Sequence, residues 1–317
     1  MSWPPCGPGA AVAVVAAFLI DLKCGEPPAR WHPVVWIGRA LSSVGAPWPR
    51  HTSRAQFFRG AFVWLALALA CVAAAVVADR SIAAIAAIAA IAASSQPSLA
   101  IAVRGLLLGA VLKPLFAWRM LRDEVGAVEK ALERGVEAGR ERLRHIVGRD
   151  TAELSMTVVR ESALESLAEN LNDSFVAPLF WFCVGGLPGA ALYRFANTAD
   201  AMYGLRGRWE WAGKWAARSD DVLSCVPARL TAMLLAIAAL RWPGGLSREA
   251  RRTASPNGGW PMGMLALALD VRLSRPGYYV LHAQGHCAGP DDISRGLRIA
   301  ARAAWSAVIV AALVQLA

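Results

Sequence analysis

Apolar residues in this chain come in long blocks separated by short charged segments. The longest block, Phe57 to Ala78, would cross roughly 30 Å of hydrocarbon as a helix. Leu99 to Trp118 predicts a second span, interrupted only by Arg104 and Lys113, whose long side chains snorkel or turn toward protein. Ile299 to Leu316 predicts the closing span, and Val222 to Leu240 a weaker one, because Pro227 and Arg229 fall in its first turns. Ala10 to Ile20 reads as a retained first helix. No basic stretch precedes it, and it ends in Asp21 rather than in a small-residue cleavage site. After Ala78, Ile82, Ile85, Ile88 and Ile91 are set in alanine. Their three-residue spacing drifts around a helix, so they predict filler against lipid or other helices.

Two segments break the pattern. From Arg119 to Arg160 charges of both signs interleave, while Val125, Val128, Leu132, Val136 and Leu143 recur at helical spacing. This predicts one water-facing amphipathic helix whose ion pairs mostly solvate it. From Ser174 to Phe195, about ten apolar residues are broken by Gly185, Gly186, Pro188 and Gly189. Each half is too short to span, which predicts a re-entrant segment in preference to a kinked span. The polar motifs on either side of it then lie on one side of the bilayer.

The expected fold is therefore all-α: a polytopic integral membrane protein with cytoplasmic amphipathic helices, forming a single domain over 1–317 with a cytoplasmic helical segment at about 119–173. Composition agrees, at 56% hydrophobic residues and a mean hydropathy of +0.41, an excess that a soluble core could not hide. The net charge of +10 does not imply nucleic acid, because Lys and Arg flank apolar blocks and no stacking platform accompanies them. Six cysteines lie far apart without a CxxC pair, so no disulfide framework is expected.

Candidate chemistry sits between the blocks. Glu161, Glu165, Glu169 and Asp173 recur every four residues, which puts four carboxylates on one helical face. Like charges at that spacing are unfavourable, so a cation is expected to face them: basic side chains from a neighbour, or Mg²⁺. Asn197, Thr198 and Asp200 form a polar triplet that helix capping alone could explain. Asp220 and Asp221 resemble a divalent-cation site near phosphate, with Lys214, Arg218 and Arg229 as phosphate clamps; an acidic pair at a helix start also suits the helix dipole. Ser255 to Pro261 is dense in turn formers and offers free backbone N–H groups for an anion. His32 follows a Gly/Pro-rich bend. His282, His286 and Cys287 imitate a metal spacing, but Gly285 and a loop context argue against a tetrahedral zinc site. Neither a P-loop nor a dinucleotide fingerprint is present.

Taken in order, these motifs resemble the adenosylcobinamide-phosphate synthase family of membrane proteins. The resemblance runs through Gly25–Glu26–Pro27, His32–Val34, Val147–Asp150, Glu165–Asn170, Asp173, Ala177–Trp181 and Gly185–Gly189. It continues through Asn197, Thr198, Asp200, Met202 and Gly204, then Ala217–Asp221, Pro227–Leu230, Ser255–Pro261 and Asp291–Ile293. Departures include Ala199, Ala201, Ser224 and Leu267. The resemblance implies an ATP-dependent enzyme that joins a corrinoid carboxylate to aminopropanol phosphate or aminopropanol in cobalamin biosynthesis. It also implies a multi-pass protein of the bacterial cytoplasmic membrane with its site on the cytoplasmic side. Residue chemistry then suggests the roles. Asp220, Asp221 and Glu169 are expected to hold Mg²⁺, and Lys214, Arg218 and Arg229 the ATP phosphates. Glu165, Glu169, Asp173 and Asp200 are expected to act in catalysis, and His32, Asn197, Ser255 and Asn257 to touch substrate. The lipid bilayer is the expected partner, nucleic acid is not, and a homo-oligomer is allowed. A membrane regulator of similar architecture should lack the joint acidic and phosphate-binding blocks. A transporter should show internal repeats, and none is found between the halves.

Overall fold

Five helical stretches described in the computed structural model are long and apolar enough to cross a membrane: Ser53–Ala92, Ser98–Leu132, Met156–Tyr203, Lys214–Ala239 and Pro290–Leu316. The structure describes residues 7–45, 52–92, 97–204 and 209–317. Each apolar block that predicts a span lies within one of these stretches, apart from Leu240 at one helix end. Among the described residues the only sheet is a two-stranded hairpin, so the protein is an all-α polytopic membrane protein. The described cysteines are free thiols, and Cys6 lies outside the described residues. By contacts the chain divides into two compact units. The first comprises Met1–Ala117, Ala177–Leu223 and Val308–Ala317, and the second Trp118–Val176 and Ser224–Ala307.

In the first unit, α1 (Pro8–Cys24) packs along α4 (Pro97–Leu112). Gly105 and Gly109 make this approach close: a β-carbon on Gly105 would stand 2.4 Å from the Val12 side chain, and one on Gly109 2.8 Å from the Ala13 carbonyl oxygen. Small residues four apart let membrane helices touch through their backbones. Helix α2 (Pro33–Gly45) contributes Leu41 to a core with α3 (Ser53–Ala92) and α8 (Ala177–Tyr203), where Trp64 meets Phe195 edge to face at 5.5 Å. Along α3 only Gly60, Ala68, Ala75, Ile82 and Ala86 are buried. Of the isoleucine series Ile82 is covered, whereas Ile85, Ile88 and Ile91 are exposed, as drifting spacing requires.

The Gly/Pro-broken segment reverses direction. Within α8, Gly185 (φ −129°, ψ 15°) and Gly186 (φ 60°, ψ −155°) leave helical geometry, and the second lies where only glycine is comfortable. A β-carbon on Gly189 would stand 2.3 Å from the carbonyl oxygen of Trp181, eight residues earlier, where a straight helix would separate them by about 12 Å. The two arms therefore fold back on each other, as a re-entrant segment does.

A buried polar network ties the start of this unit together. Lys113 Nζ lies 3.1 Å from Asp21 Oδ1 and donates to Glu26 Oε1 at 2.7 Å. His32 Nε2 is 3.0 Å from Glu26 Oε2, and its Nδ1 accepts from the Val34 N–H. Lys113 thus turns inward and does not snorkel. Burial pushes the Glu26 carboxyl up, but the hydrogen bonds and charges of His32 and Lys113 outweigh this and hold it below its ordinary value.

In the second unit, the amphipathic stretch is two helices and not the one that periodicity predicts. Helix α5 (Trp118–Leu132) and α6 (Val136–Leu143) are separated at Gly135, whose φ of +129° stops the first helix from continuing. Val125, Val128, Leu132 and Leu143 are buried as expected. Most of the charges do solvate the surface, but Arg160 makes a bidentate bond to Glu129, at 2.8 and 2.7 Å. Helix α7 (Met156–Leu171), capped by Ser155, passes through a π-turn (Asn172–Val176) into α8. Helices α9 (Lys214–Ala239), α10 (Leu246–Ala250), α11 (Gly259–Leu269) and α12 (Pro290–Leu316) follow, with strands β1 (Leu273–Arg275) and β2 (Tyr279–Leu281) between α11 and α12.

Lys113→Met should destabilise the protein by about 3–5 kcal/mol, because it strands Asp21 as a buried charge and leaves the half-buried Glu26 with His32 alone. Thermal unfolding in detergent measures this, and adding Asp21→Asn should recover much of the loss. A lowered folded-state pKa means that the contribution of Glu26 is complete above its ordinary value of 4.5. It is lost only as pH falls through the depressed folded value, and Glu26→Gln should remove that part of the acid dependence.

Candidate active site

Helical spacing puts Glu161, Glu165 and Glu169 on one face of α7, and the π-turn carries Asp173 just beyond. Glu161 is fully buried. Its Oε2 accepts from the Ser274 N–H at 3.0 Å and from the Ser274 hydroxyl, and its Oε1 from Arg272 at 3.4 Å. Glu165, also buried, accepts from Arg149 Nη2 at 2.7 Å and from the Tyr279 hydroxyl. The same Arg149 nitrogen reaches the Ser162 hydroxyl at 2.6 Å. Burial, then the adjacent Glu165 and Glu169 charges, push the Tyr279 phenol far above its ordinary range, so Tyr279 stays a protonated donor. Neither Glu161 nor Glu165 is a solvated surface carboxylate. Basic side chains of the protein itself neutralise them.

Glu169 differs. It is exposed, and its carboxylate has no hydrogen-bond or ion-pair partner among the described residues. A β-carbon on Gly258 would lie 3.5 Å from Glu169 Oε1, so the carboxylate sits beside the turn that opens α11. Asp173 accepts from Asn172 Nδ2 at 2.7 Å, and Asn172 Oδ1 accepts from the Thr231 hydroxyl at 3.0 Å, fixing the π-turn against α9. π-Turns of this kind recur at functional sites.

The turn itself departs from expectation. Ser255 Oγ accepts from the N–H groups of Asn257 and Gly258, at 3.2 and 3.1 Å, so these two donors are already taken and cannot form an anion nest. Asn257 is buried and accepts from Arg229 Nη1 at 3.1 Å, while that guanidinium lies 4.8 Å from the Trp260 ring centroid. Arg229, Asn257 and Ser255 thus form one assembly in the second unit, next to Glu169.

Asp200, Asn197, Lys214, Arg218, Asp220 and Asp221 belong to the first unit. Asn197, Thr198 and Asp200 lie inside α8 and not at a helix start, so capping does not explain them. Thr198 donates to its own helix, at the Arg194 carbonyl (2.7 Å). Asn197 accepts from Arg194 at 3.3 Å and donates to Asp220 at 3.4 Å. Asp220 and Asp221 close the second turn of α9, beyond the terminus where a helix dipole would favour them. Lys214 stacks over Trp211 at 3.6 Å, and Arg218 is exposed with no side-chain partner among the described residues. His32 uses both ring nitrogens within the protein. Among the described residues no three His, Cys, Asp or Glu side chains cluster as metal ligands. His282 and His286 instead pair with Asp270 at 2.6 Å and Asp292 at 3.1 Å.

Sequence reasoning missed Arg149, Arg272, Ser274 and Tyr279 as partners of the carboxylate row. The available signal was the row itself, whose spacing demands cations without saying which.

Comparison with known proteins adds the biological context. A family model described as CobD/Cbib protein matches residues 14–300. The cobalamin biosynthesis protein CobD of Rhodobacter capsulatus is 38% identical over 322 residues, covering 96% of this chain and 97% of that protein. CobD of Brucella anthropi is 38% identical over 309 residues, covering 89% and 90%. A probable CobD of Methanothermobacter thermautotrophicus is 37% identical over 276 residues, covering 84% and 85%. No solved structure matches.

Glu161→Gln should loosen the hairpin, because an amide keeps one acceptor oxygen where the carboxylate uses two, so Ser274 and Arg272 cannot both be held and the charge opposite Arg272 is lost. Hydrogen exchange at Leu273–Leu281 is expected to speed up markedly while α5 and α6 remain protected, and unchanged exchange would refute the anchoring role.

Proposed function

Because this chain belongs to the CobD/Cbib family and so has a role in cobalamin biosynthesis, we propose that it catalyses ATP-dependent amide formation between adenosylcobyric acid and aminopropanol phosphate or aminopropanol. The observation that carries this reading is Glu169: a carboxylate without a partner among the described residues, in a row whose other members are held by the protein. A free carboxylate beside a structured turn suits a protonated amine or a metal ion, and removing a proton from the amine is what the reaction needs from a base.

A carboxylate is a poor electrophile, and Mg·ATP supplies the phosphoryl group that turns its oxygen into a leaving group. Mg²⁺ normally takes one or two carboxylates together with waters and substrate phosphates. The adjacent Asp220 and Asp221 fit that demand, although no three-ligand cage is built among the described residues. In the first unit Lys214 and Arg218, the latter without a side-chain partner among the described residues, have donors for phosphate oxygens. In the second unit, considered by itself, Arg229 presents a fork braced by Asn257 and Trp260. Glu169 holds the amine and accepts its proton as the new C–N bond forms. Asp173 adds negative charge beside it, and Tyr279 with Arg149 keeps Glu165 fixed, so that the amine has one carboxylate to find. Asp200, Asn197, Ser255 and Asn257 orient substrate or the residues that touch it. The site works on the cytoplasmic side of a bacterial inner membrane, where ATP and the corrinoid precursor are found.

Mass spectrometry of the corrinoid after incubation with adenosylcobyric acid, the amine and Mg·ATP tests this directly. Wild type should gain the mass of one amide-linked aminopropanol unit, with consumption of one ATP. Glu169→Gln should cut turnover by roughly 10²–10⁴-fold, the usual weight of a general base, with its melting point unchanged or raised. Asp220→Asn and Asp221→Asn should lower activity in a way that excess Mg²⁺ partly restores. A fully active Glu169→Gln enzyme would exclude Glu169 as the base.

A further inference from the structure

The hairpin sets Arg275 directly opposite Tyr279 in an antiparallel register, with Leu273 opposite Leu281 two residues along. Residues paired in this way project to the same face of a sheet. That face is turned inward: Leu273 and Leu281 are fully buried, and Tyr279 reaches Glu165 on α7. Arg275 is therefore held on the side of the carboxylate row, within electrostatic range of Glu165 and Glu169.

Its neighbours are all paired. Arg149 is taken by Glu165, Arg160 by Glu129 and Arg272 by Glu161. Arg275 is not. Its guanidinium has no hydrogen-bond partner among the described residues, its Nε is buried and unsatisfied, and its ring contact is with Tyr278, at 4.7 Å from the centroid. A buried donor left unsatisfied is costly, and stacking on an aromatic face leaves the edge donors of a guanidinium available. Glu169 is the matching unpaired anion. Among the described residues the hairpin thus holds an unpaired cation facing the carboxylate row in which Glu169 is the unpaired anion, and the two are not collapsed into an ion pair.

We propose that Arg275 is a specificity-determining residue, binding an anionic group at one end of the ligand whose amine is held by Glu169. This rests on the reading of Glu169 given above, and it assigns the selection of a phosphorylated over an unphosphorylated amino alcohol to one side chain on the hairpin. Guanidinium and phosphate oxygens match in geometry as well as charge, and Glu161 anchors the hairpin so that Arg275 stays in place.

The test titrates the full-length protein in detergent, by calorimetry and without corrinoid or ATP, with aminopropanol phosphate and with aminopropanol. Arg275→Ala should weaken the phosphorylated amine by about ten- to a hundred-fold, the weight of a hydrogen bond to a charged group, and the free amine less than about two-fold. Arg275→Lys should recover part of the loss, keeping charge without the fork. Glu169→Gln should weaken both amines. Hairpin hydrogen exchange that matches wild type shows that the variants are folded, and Arg275→Lys carries the test if Arg275→Ala is not. Equal loss for both amines, no loss for either, or a wild type that binds neither would overturn the proposal. The ligase reading fails separately: if wild type binds the phosphorylated amine through Arg275 yet forms no corrinoid amide with Mg·ATP, ligation is wrong and the recognition stands.

Discussion

Burying a carboxylate requires something to replace water, and the second unit is organised around that demand. Glu161 and Glu165 lie inside the protein on one face of α7, with an arginine and a hydroxyl for each. Those donors come from the hairpin and from the loop before α7, so neutralising the row also pins these segments in place. Removing one member of such a set leaves its partner charged and dry, which is why pairs of this kind are rigid even where their net contribution to stability is small. Glu169, the last carboxylate of the row on α7, has no donor among the described residues. With its neighbours fixed, Glu169 is the carboxylate of α7 to which the proposed role of amine holder falls.

The first unit meets the same demand differently. Asp21, Glu26, Lys113 and His32 share one network near the ends of two apolar helices. There the cation comes from within a membrane-spanning stretch, and its partners come from the bend after α1. The glycines at 105 and 109 let α1 and α4 approach closely enough to bring these groups together. In both units packing comes first: close backbone contact in one and a clamped hairpin in the other decide where charges can sit.

A proposed role for Arg275 follows from the same logic. Glu169 is exposed and water can solvate it, but Arg275 carries a buried Nε without a partner, and such donors are rarely left unpaired beside a carboxylate. The hairpin prevents that pairing by stacking Arg275 on Tyr278 and committing Tyr279 to Glu165. The cost is tolerable where a ligand supplies the missing partners.

Much of this was legible in the residues themselves. The apolar blocks gave the spans, because a helix needs only local hydrogen bonds and a run of apolar side chains long enough for the bilayer. Glu161 to Asp173 announced a shared face through spacing alone, and Gly185 to Gly189 announced a break. The division of the 119–160 stretch at Gly135 was not legible, because periodicity continues across it and one backbone angle does not show in a pattern. Nor was the loss of the Ser255 turn as an anion nest, since the hydroxyl that fills it also reads as a turn former. The partners of the carboxylates lay furthest from view: Glu161 meets Ser274 and Glu165 meets Tyr279 across 113 and 114 residues. Which cations answer a row of charges, and which carboxylate is left without one, depends on how distant segments pack. Sequence by itself determined the helices and the need for counter-charge. Only the tertiary structure decided how that need is met, because ion pairing is set by proximity in space and the pattern along the chain records only proximity in sequence.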